Sequence, residues 1–147
     1  MVAGISAQAQ DRPVPYWVAT KSGLAAMRAG PAENYPRTWI YKRRGFPLRV
    51  VKIYQNWRMV EDPEGTRGWM LVSLLTERRT GLVKPGEPRP IYTEASETSP
   101  LKYRAEPGVV GRIEHCRNGW CKFAIGKREG YIRTTDIWGV NDGEVVD

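Results

Sequence analysis

Apolar residues along this chain recur in short runs with a period near two, and the runs end in Gly, Pro, Asn or Asp. That period is the pattern of strands with one face buried. Tyr16-Trp17-Val18-Ala19 predicts a first strand, turned by Thr20-Lys21-Ser22-Gly23. A short strand beginning at Leu24 breaks into a long loop, with Gly30-Pro31 near its start and Tyr35-Pro36 at its end. Trp39-Ile40-Tyr41 restarts a strand, and Lys42-Arg43-Arg44-Gly45 turns it. Leu48 to Tyr54 is the best strand of the first half, β-branched and roughly alternating. Gln55-Asn56 turns it back into Trp57-Arg58-Met59-Val60. Asp62-Pro63-Glu64-Gly65 is a second turn signal before Thr66 to Met70, and Val72-Ser73-Leu74-Leu75 predicts a single 3₁₀ turn.

The sharpest local signal lies in the second half, at Cys116-Arg117-Asn118-Gly119-Trp120-Cys121. Asn-Gly tolerates φ > 0 at both central positions of a type I′ turn, so Arg117 and Trp120 close a two-residue hairpin. Cys116 and Cys121 are then the next pair out, which is non-hydrogen-bonded with Cα atoms roughly 4.5 Å apart. That spacing is within disulfide reach, and the expectation is a cross-strand bridge. The same hairpin occurs earlier. Trp57 and Trp120, like Gly45 and Gly108, are 63 residues apart; Gly68-Trp69 and Gly130-Tyr131 are 62 apart, and Tyr35-Pro36 and Ser99-Pro100 are 64 apart. A steady offset with small insertions in loops marks a tandem duplication.

Composition narrows the class. The chain has 147 residues, of which 41% are hydrophobic, enough for one average domain or two small cores. Fifteen Gly and eleven Pro in short intervals argue against long helices. Chains this short, with strands this short, bury an apolar face by curling a sheet onto itself. The fold class is therefore all-β, as two tandem small barrels of about five short strands each. The boundaries that follow are 1–15 as a signal-peptide remnant or disordered arm, 16–76 as the first barrel, 77–89 as a linker stiffened by Lys84-Pro85-Gly86-Glu87-Pro88, 90–140 as the second barrel and 141–147 as a tail.

Charge and chemistry exclude more than they select. The net charge of +7 favours anionic partners such as cell-wall polymers, but Lys and Arg are spread along the chain without a basic helix, so nucleic acid is not a predicted partner. No run of 18 apolar residues exists, so no integral membrane segment is predicted. Ala7-Gln8-Ala9 resembles the cleavage end of a secretory signal, and a cysteine pair placed for a hairpin bridge needs an oxidising compartment; the expected location is periplasmic or secreted. His115, the sole histidine, neighbours Cys116, but adjacent strand residues face opposite ways, and no catalytic couple follows. Two Cys and one His do not make a four-donor zinc site, so no metal is expected. Glu33, Glu61, Asp62 and Glu64 read as surface carboxylates, and no nucleotide loop is present, so no cofactor is implied. The expectation is no enzymatic activity.

Arg28-Ala29-Gly30-Pro31, Asn34-Tyr35-Pro36, Gly45-Phe46-Pro47-Leu48, Asn56-Trp57-Arg58-Met59-Val60 and Gly68-Trp69-Met70 together resemble the bacterial SH3-like (SH3b) domain, in the tandem form of exported alphaproteobacterial proteins. Asp136-Ile137-Trp138-Gly139-Val140 is similar to the closing segment of that group. The second copy departs from the pattern by lacking Arg-x-Gly-Pro. The resemblance implies a binding groove between the long first loop and the neighbouring hairpin turn, with Tyr35, Pro36 and Trp57 in it, Tyr41 and Trp69 alongside, and Arg28 serving either a ligand or a loop carboxylate. For Trp57 and Trp120 a capping role over their own barrels competes with ligand contact, and Trp69 and Tyr131 also read as core. The implied partner is a cell-wall polymer, peptidoglycan or its peptide stems; the alternative is an extended peptide of an envelope protein.

Overall fold

The computed structural model describes residues 12–147; the Ala7-Gln8-Ala9 motif lies outside the described residues. The chain divides between Glu77 and Arg78 into two compact units. Among the described residues each is a seven-stranded sheet with one single-turn 3₁₀ helix. In the first unit the strands are β1 (Tyr16–Thr20), β2 (Ala25–Arg28), β3 (Arg37–Tyr41), β4 (Pro47–Tyr54), β5 (Trp57–Glu61), β6 (Arg67–Leu71) and β7 (Leu75–Thr76). Their order across the sheet is β3-β2-β6-β5-β4-β1-β7, every pairing antiparallel.

The second unit repeats that plan. Its strands are β8 (Thr80–Val83), β9 (Arg89–Tyr92), β10 (Leu101–Ala105), β11 (Val110–Arg117), β12 (Trp120–Ile125), β13 (Arg128–Arg133) and β14 (Ile137–Trp138). Their order, β10-β9-β13-β12-β11-β8-β14, matches the first unit strand for strand. Even an irregularity recurs: the register slips between Val50 and Lys52 on β4 and between Ile113 and His115 on β11, so a bulged residue occupies the same place 63 positions later. The number of strands exceeds the expected five because two-residue strands such as β7 and β14 are too short to carry an alternating pattern.

Two expected boundaries are corrected. The predicted linker 77–89 contains β8, which pairs with β11 and β14, so the second unit begins with it. Lys84-Pro85-Gly86-Glu87-Pro88 is the β8–β9 turn, the counterpart of Thr20-Lys21-Ser22-Gly23, and is tied down by Lys84 N–H to the Asp136 carbonyl and by Arg89 to the Pro85 carbonyl. The predicted tail is also built in. Val146 and Cys116 exchange two backbone hydrogen bonds, and Arg79 holds Glu144 in a bidentate pair at 2.7 and 3.0 Å while donating to the Gly139 carbonyl.

Each core is the inner face of its own sheet. Val18, Ala25, Met27, Leu48, Val50, Val60 and Met70 fill the first, and Val83, Ile91, Ile113, Phe123, Ile132 and Ile137 the second. Gly111 matters here because a Cβ would meet the Phe123 ring at 2.4 Å. The hairpin prediction holds: Cys116 pairs with Cys121 and Arg117 with Trp120, Asn118 and Gly119 have φ of 56° and 85°, and the cysteines are bridged with Cα atoms 4.0 Å apart. In the first unit Ile53 and Arg58 stand in their places. There the buried Arg58 guanidinium ties the turn without a covalent bond, donating to the Gln55 and Trp57 carbonyls and to the Tyr16 hydroxyl.

Candidate binding face

Strand alternation decides which residues can meet a ligand. On β5 and β6 the core takes Val60, Gly68 and Met70, so Trp57, Met59, Trp69 and Leu71, paired across the ladder, lie on the opposite, outer face. Arg28 pairs with Trp69 and extends that face onto β2. The second unit has the same surface, built from Tyr92, Trp120, Lys122, Tyr131 and Arg133. There the Tyr92 ring meets Trp120 edge-on at 5.7 Å, and the Arg133 guanidinium lies 4.6 Å above the Trp120 ring. His115 is exposed, and its ring sits 6.0 Å from that of Tyr131.

A loop flanks each face. In the first unit Arg28 donates to the carbonyls of Glu33 and Tyr35 at 3.1 and 3.0 Å, so its guanidinium holds the loop through its backbone and not through a loop carboxylate. The Tyr35 ring lies against Gly30, where a Cβ would come within 2.5 Å, and that glycine is what lets the ring fold down. The second loop lacks Arg-x-Gly-Pro yet adopts the same hydrogen bonds. Ala29 N–H to Pro36 O, Ala32 N–H to Gly30 O and Tyr35 N–H to Ala32 O recur as Thr93 to Pro100, Ser96 to Glu94 and Ser99 to Ser96. Hydroxyls replace the arginine: Ser99 Oγ accepts from Glu94 N–H and donates to the Ser96 carbonyl, and Ser96 accepts from Thr98 N–H.

The residues singled out from sequence divide. Arg28, Tyr35, Pro36 and Trp69 come together at the loop and its adjoining strand, with Tyr35 45% exposed and Trp69 half-buried. Trp57 lies on the same face but is only 9% exposed. Tyr41 does not belong to the face. It is buried in the core, its ring stacked on Phe46, and its hydroxyl donates to Asp62 Oδ2 at 2.9 Å. Burial first, then that hydrogen bond to a carboxylate, pushes the Tyr41 phenol well above its usual range. Asp62, expected at the surface, is 7% exposed and also accepts the Glu64 and Thr66 N–H groups through Oδ1. Glu61 is likewise engaged, and Arg49 first, with Arg67, holds its carboxyl below the usual range against the opposing effect of burial.

Sequence reading missed a concave part of the second unit. A cavity of about 460 Å³ opens beside the second face, lined by Glu87, Arg89, Pro90, Tyr92, Glu97, Arg133 and Asp136. Ion pairs border it: Arg133 with Glu97 at 2.6 Å and Arg89 with Asp136 at 2.8 Å. Tyr92, which lines it, stands where the first copy has Arg28. The signal that could have found it was the 64-residue offset from Arg28 to Tyr92. No cluster of His, Cys, Asp and Glu suited to a metal occurs among the described residues, and no helix there is long and apolar enough to cross a membrane.

The chain is similar, at 12% identity and a TM-score of 0.38, to the structure of NlpC2 from Trichomonas vaginalis, with 85% of this chain and 48% of that one covered. For NlpC1 from the same organism the identity is 13% and the TM-score 0.37, covering 86% and 46%. The chain thus spans about half the length of these two structures. No curated protein matches it. A family model described as the bacterial SH3 domain matches twice, over residues 21–77 and 86–139. With more than half of its length in those two matches, the chain belongs to the bacterial SH3 domain family and carries two copies in tandem.

Proposed function

We propose that this protein is a non-catalytic cell-envelope binding module that recognises peptidoglycan or its peptide stems through its two outer aromatic faces. The observation that carries the reading is the repetition of one surface: a strand face with an aromatic cluster, beside a loop held by the same backbone hydrogen bonds, in copies that share few side chains. Membership of the bacterial SH3 family supports binding to cell-wall components over catalysis. Aromatic rings give apolar contact area with little entropy cost, and the bordering Arg and Glu side chains offer both signs of charge to a peptide that carries both. The disulfide and the family together support an oxidising location outside the cytoplasm, periplasmic or secreted.

Co-sedimentation with purified sacculi tests the proposal. Wild type should pellet with sacculi, and Trp69→Ala and Tyr92→Ala should each weaken binding, the double variant most. Binding should persist at about 1 M salt, where the screening length falls to about 3 Å. No co-sedimentation of the wild type overturns the proposal. Binding that disappears with salt and ignores the aromatic substitutions reduces it to attraction by the net positive charge.

A further inference from the structure

β3 is the edge strand of the first sheet, paired only with β2. Trp39 lies opposite Met27, and its neighbour in alternation is Tyr41; both of these are buried on the core side. Alternation therefore points Trp39 to the core side as well, yet it is 57% exposed. Its ring touches that of Tyr41, tilted at 6.4 Å, and a large apolar side chain left mostly open on the inward face of a free edge is an unfinished sheet. Exposed Ile40, between Trp39 and Tyr41, alternates to the opposite face of the strand, so Trp39 alone forms the apolar anchor on this side.

The second unit shows what completion looks like. Tyr103 on β10 stands 64 residues after Trp39 and pairs with the buried Ile91. There the Arg128 guanidinium lies over the Tyr103 ring at 5.9 Å, and Lys102 Nζ ties down the Glu129 carbonyl at 2.6 Å. Gly68 aligns with Gly130, so Thr66 holds the place of Arg128 in the first unit, and its side chain is too short to cover Trp39. The edge beside β3 is also cationic. Arg37, Lys42, Arg43 and Arg44 are exposed, and no acidic side chain pairs with any of them among the described residues.

We propose that the β3 edge is a docking strand for an extended, acidic segment of a partner protein, which adds to the sheet beside β3 and places an apolar side chain on Trp39. Backbone groups of the free edge supply hydrogen bonds independent of sequence, Trp39 supplies the anchor, and the four cations select acidic flanks. The same cations repel a second copy of this edge, so an acidic partner is favoured over self-pairing. This surface is separate from the outer aromatic face, because Trp39 is on the core side of the sheet and Trp69 on the other.

The probe is a displayed library of random short peptides, selected on the full chain. Selection should enrich peptides that alternate apolar with Asp or Glu. Those peptides, made synthetically, should bind Trp39→Ala at least tenfold more weakly and raise hydrogen-exchange protection in β3 but not in β10. The double charge reversal Arg37→Glu with Lys42→Glu should turn the preference toward basic peptides, a readout that a folding defect cannot produce. Sacculus binding should be unchanged in Trp39→Ala, which keeps this test distinct from that of the aromatic faces. The proposal is overturned if no peptide is enriched, if enriched peptides bind Trp39→Ala equally, if protection falls on the outer aromatic face, or if the chain dimerises through Trp39.

Discussion

Removing one oxygen atom from Tyr41 tests the account of the first unit most directly. Its hydroxyl donates to Asp62 Oδ2 at 2.9 Å, while Asp62 Oδ1 already accepts two N–H groups. Tyr41→Phe keeps the stacking on Phe46 but leaves a buried carboxylate oxygen without its donor. A hydrogen bond to a charged group contributes about 1.5–3 kcal/mol, and for a domain of this size each kcal/mol moves Tm by about 4–8 °C, so a drop of roughly 10 °C is expected. Hydrogen exchange resolved by peptide would show faster opening across β2 to β6 and no change in residues 78–147. In an Asp62→Ala background the same substitution should cost less than about 0.5 kcal/mol, because the partner is gone. The pH dependence follows from the raised phenol. Its stabilising contribution is complete below pH 10.0, the unperturbed value, and is lost as pH rises through the higher folded-state value. The advantage of wild type over Tyr41→Phe should therefore shrink above pH 10. A Tyr41→Phe cost below about 0.5 kcal/mol, or one that is the same with and without Asp62, would refute the reasoning.

Other outcomes follow from the two units. Cys116→Ser with Cys121→Ser should destabilise the second unit by about 2 kcal/mol, the lower end for disulfides because the closed loop is short, and should leave exchange in the first unit unchanged. For Glu144, burial opposes ionisation, but the Arg79 guanidinium and the Asn141 N–H outweigh it and lower the carboxyl below its usual 4.5. Its contribution is present above that value and lost as pH falls through the folded-state one, so protection of Cys116 and Val146 amides should fall in acid, and Arg79→Ala should cause the same loss at neutral pH. Arg28→Ala should free the Glu33 and Tyr35 carbonyls, speed exchange in the first loop and weaken sacculus binding, whereas the second loop, held by Ser96 and Ser99, should not respond.

Much of the fold was legible because its determinants are local. Asn118-Gly119 specifies a hairpin on its own, the cysteines follow from its register, and the offset near 63 exposes the duplication without any knowledge of packing. The boundaries of the second unit were not legible. Thr80 to Val83 is a strand because β11 and β14 lie on either side of it, and no alternation in a four-residue stretch after Arg78-Arg79 announces that. The same holds for Val146, whose partner is distant in sequence.

For the binding face, residue types were readable and their sides of the sheet were not. A one-residue change of phase moves a strand residue from core to surface. Tyr41 and Trp69, both aromatic and both beside expected turns, looked alike in sequence. Pairing with Arg28 and Met59 puts Trp69 outside, whereas Asp62 holds Tyr41 within. By itself the sequence determined an all-β tandem repeat with a bridged hairpin, because turn chemistry and periodicity act between neighbours. Only the tertiary structure decided that Arg28 holds a loop, that Tyr92 lines a cavity beside the second face, and that Trp39 on the β3 edge is more than half exposed. Each of these depends on what lies across the sheet, and that is set by long-range pairing.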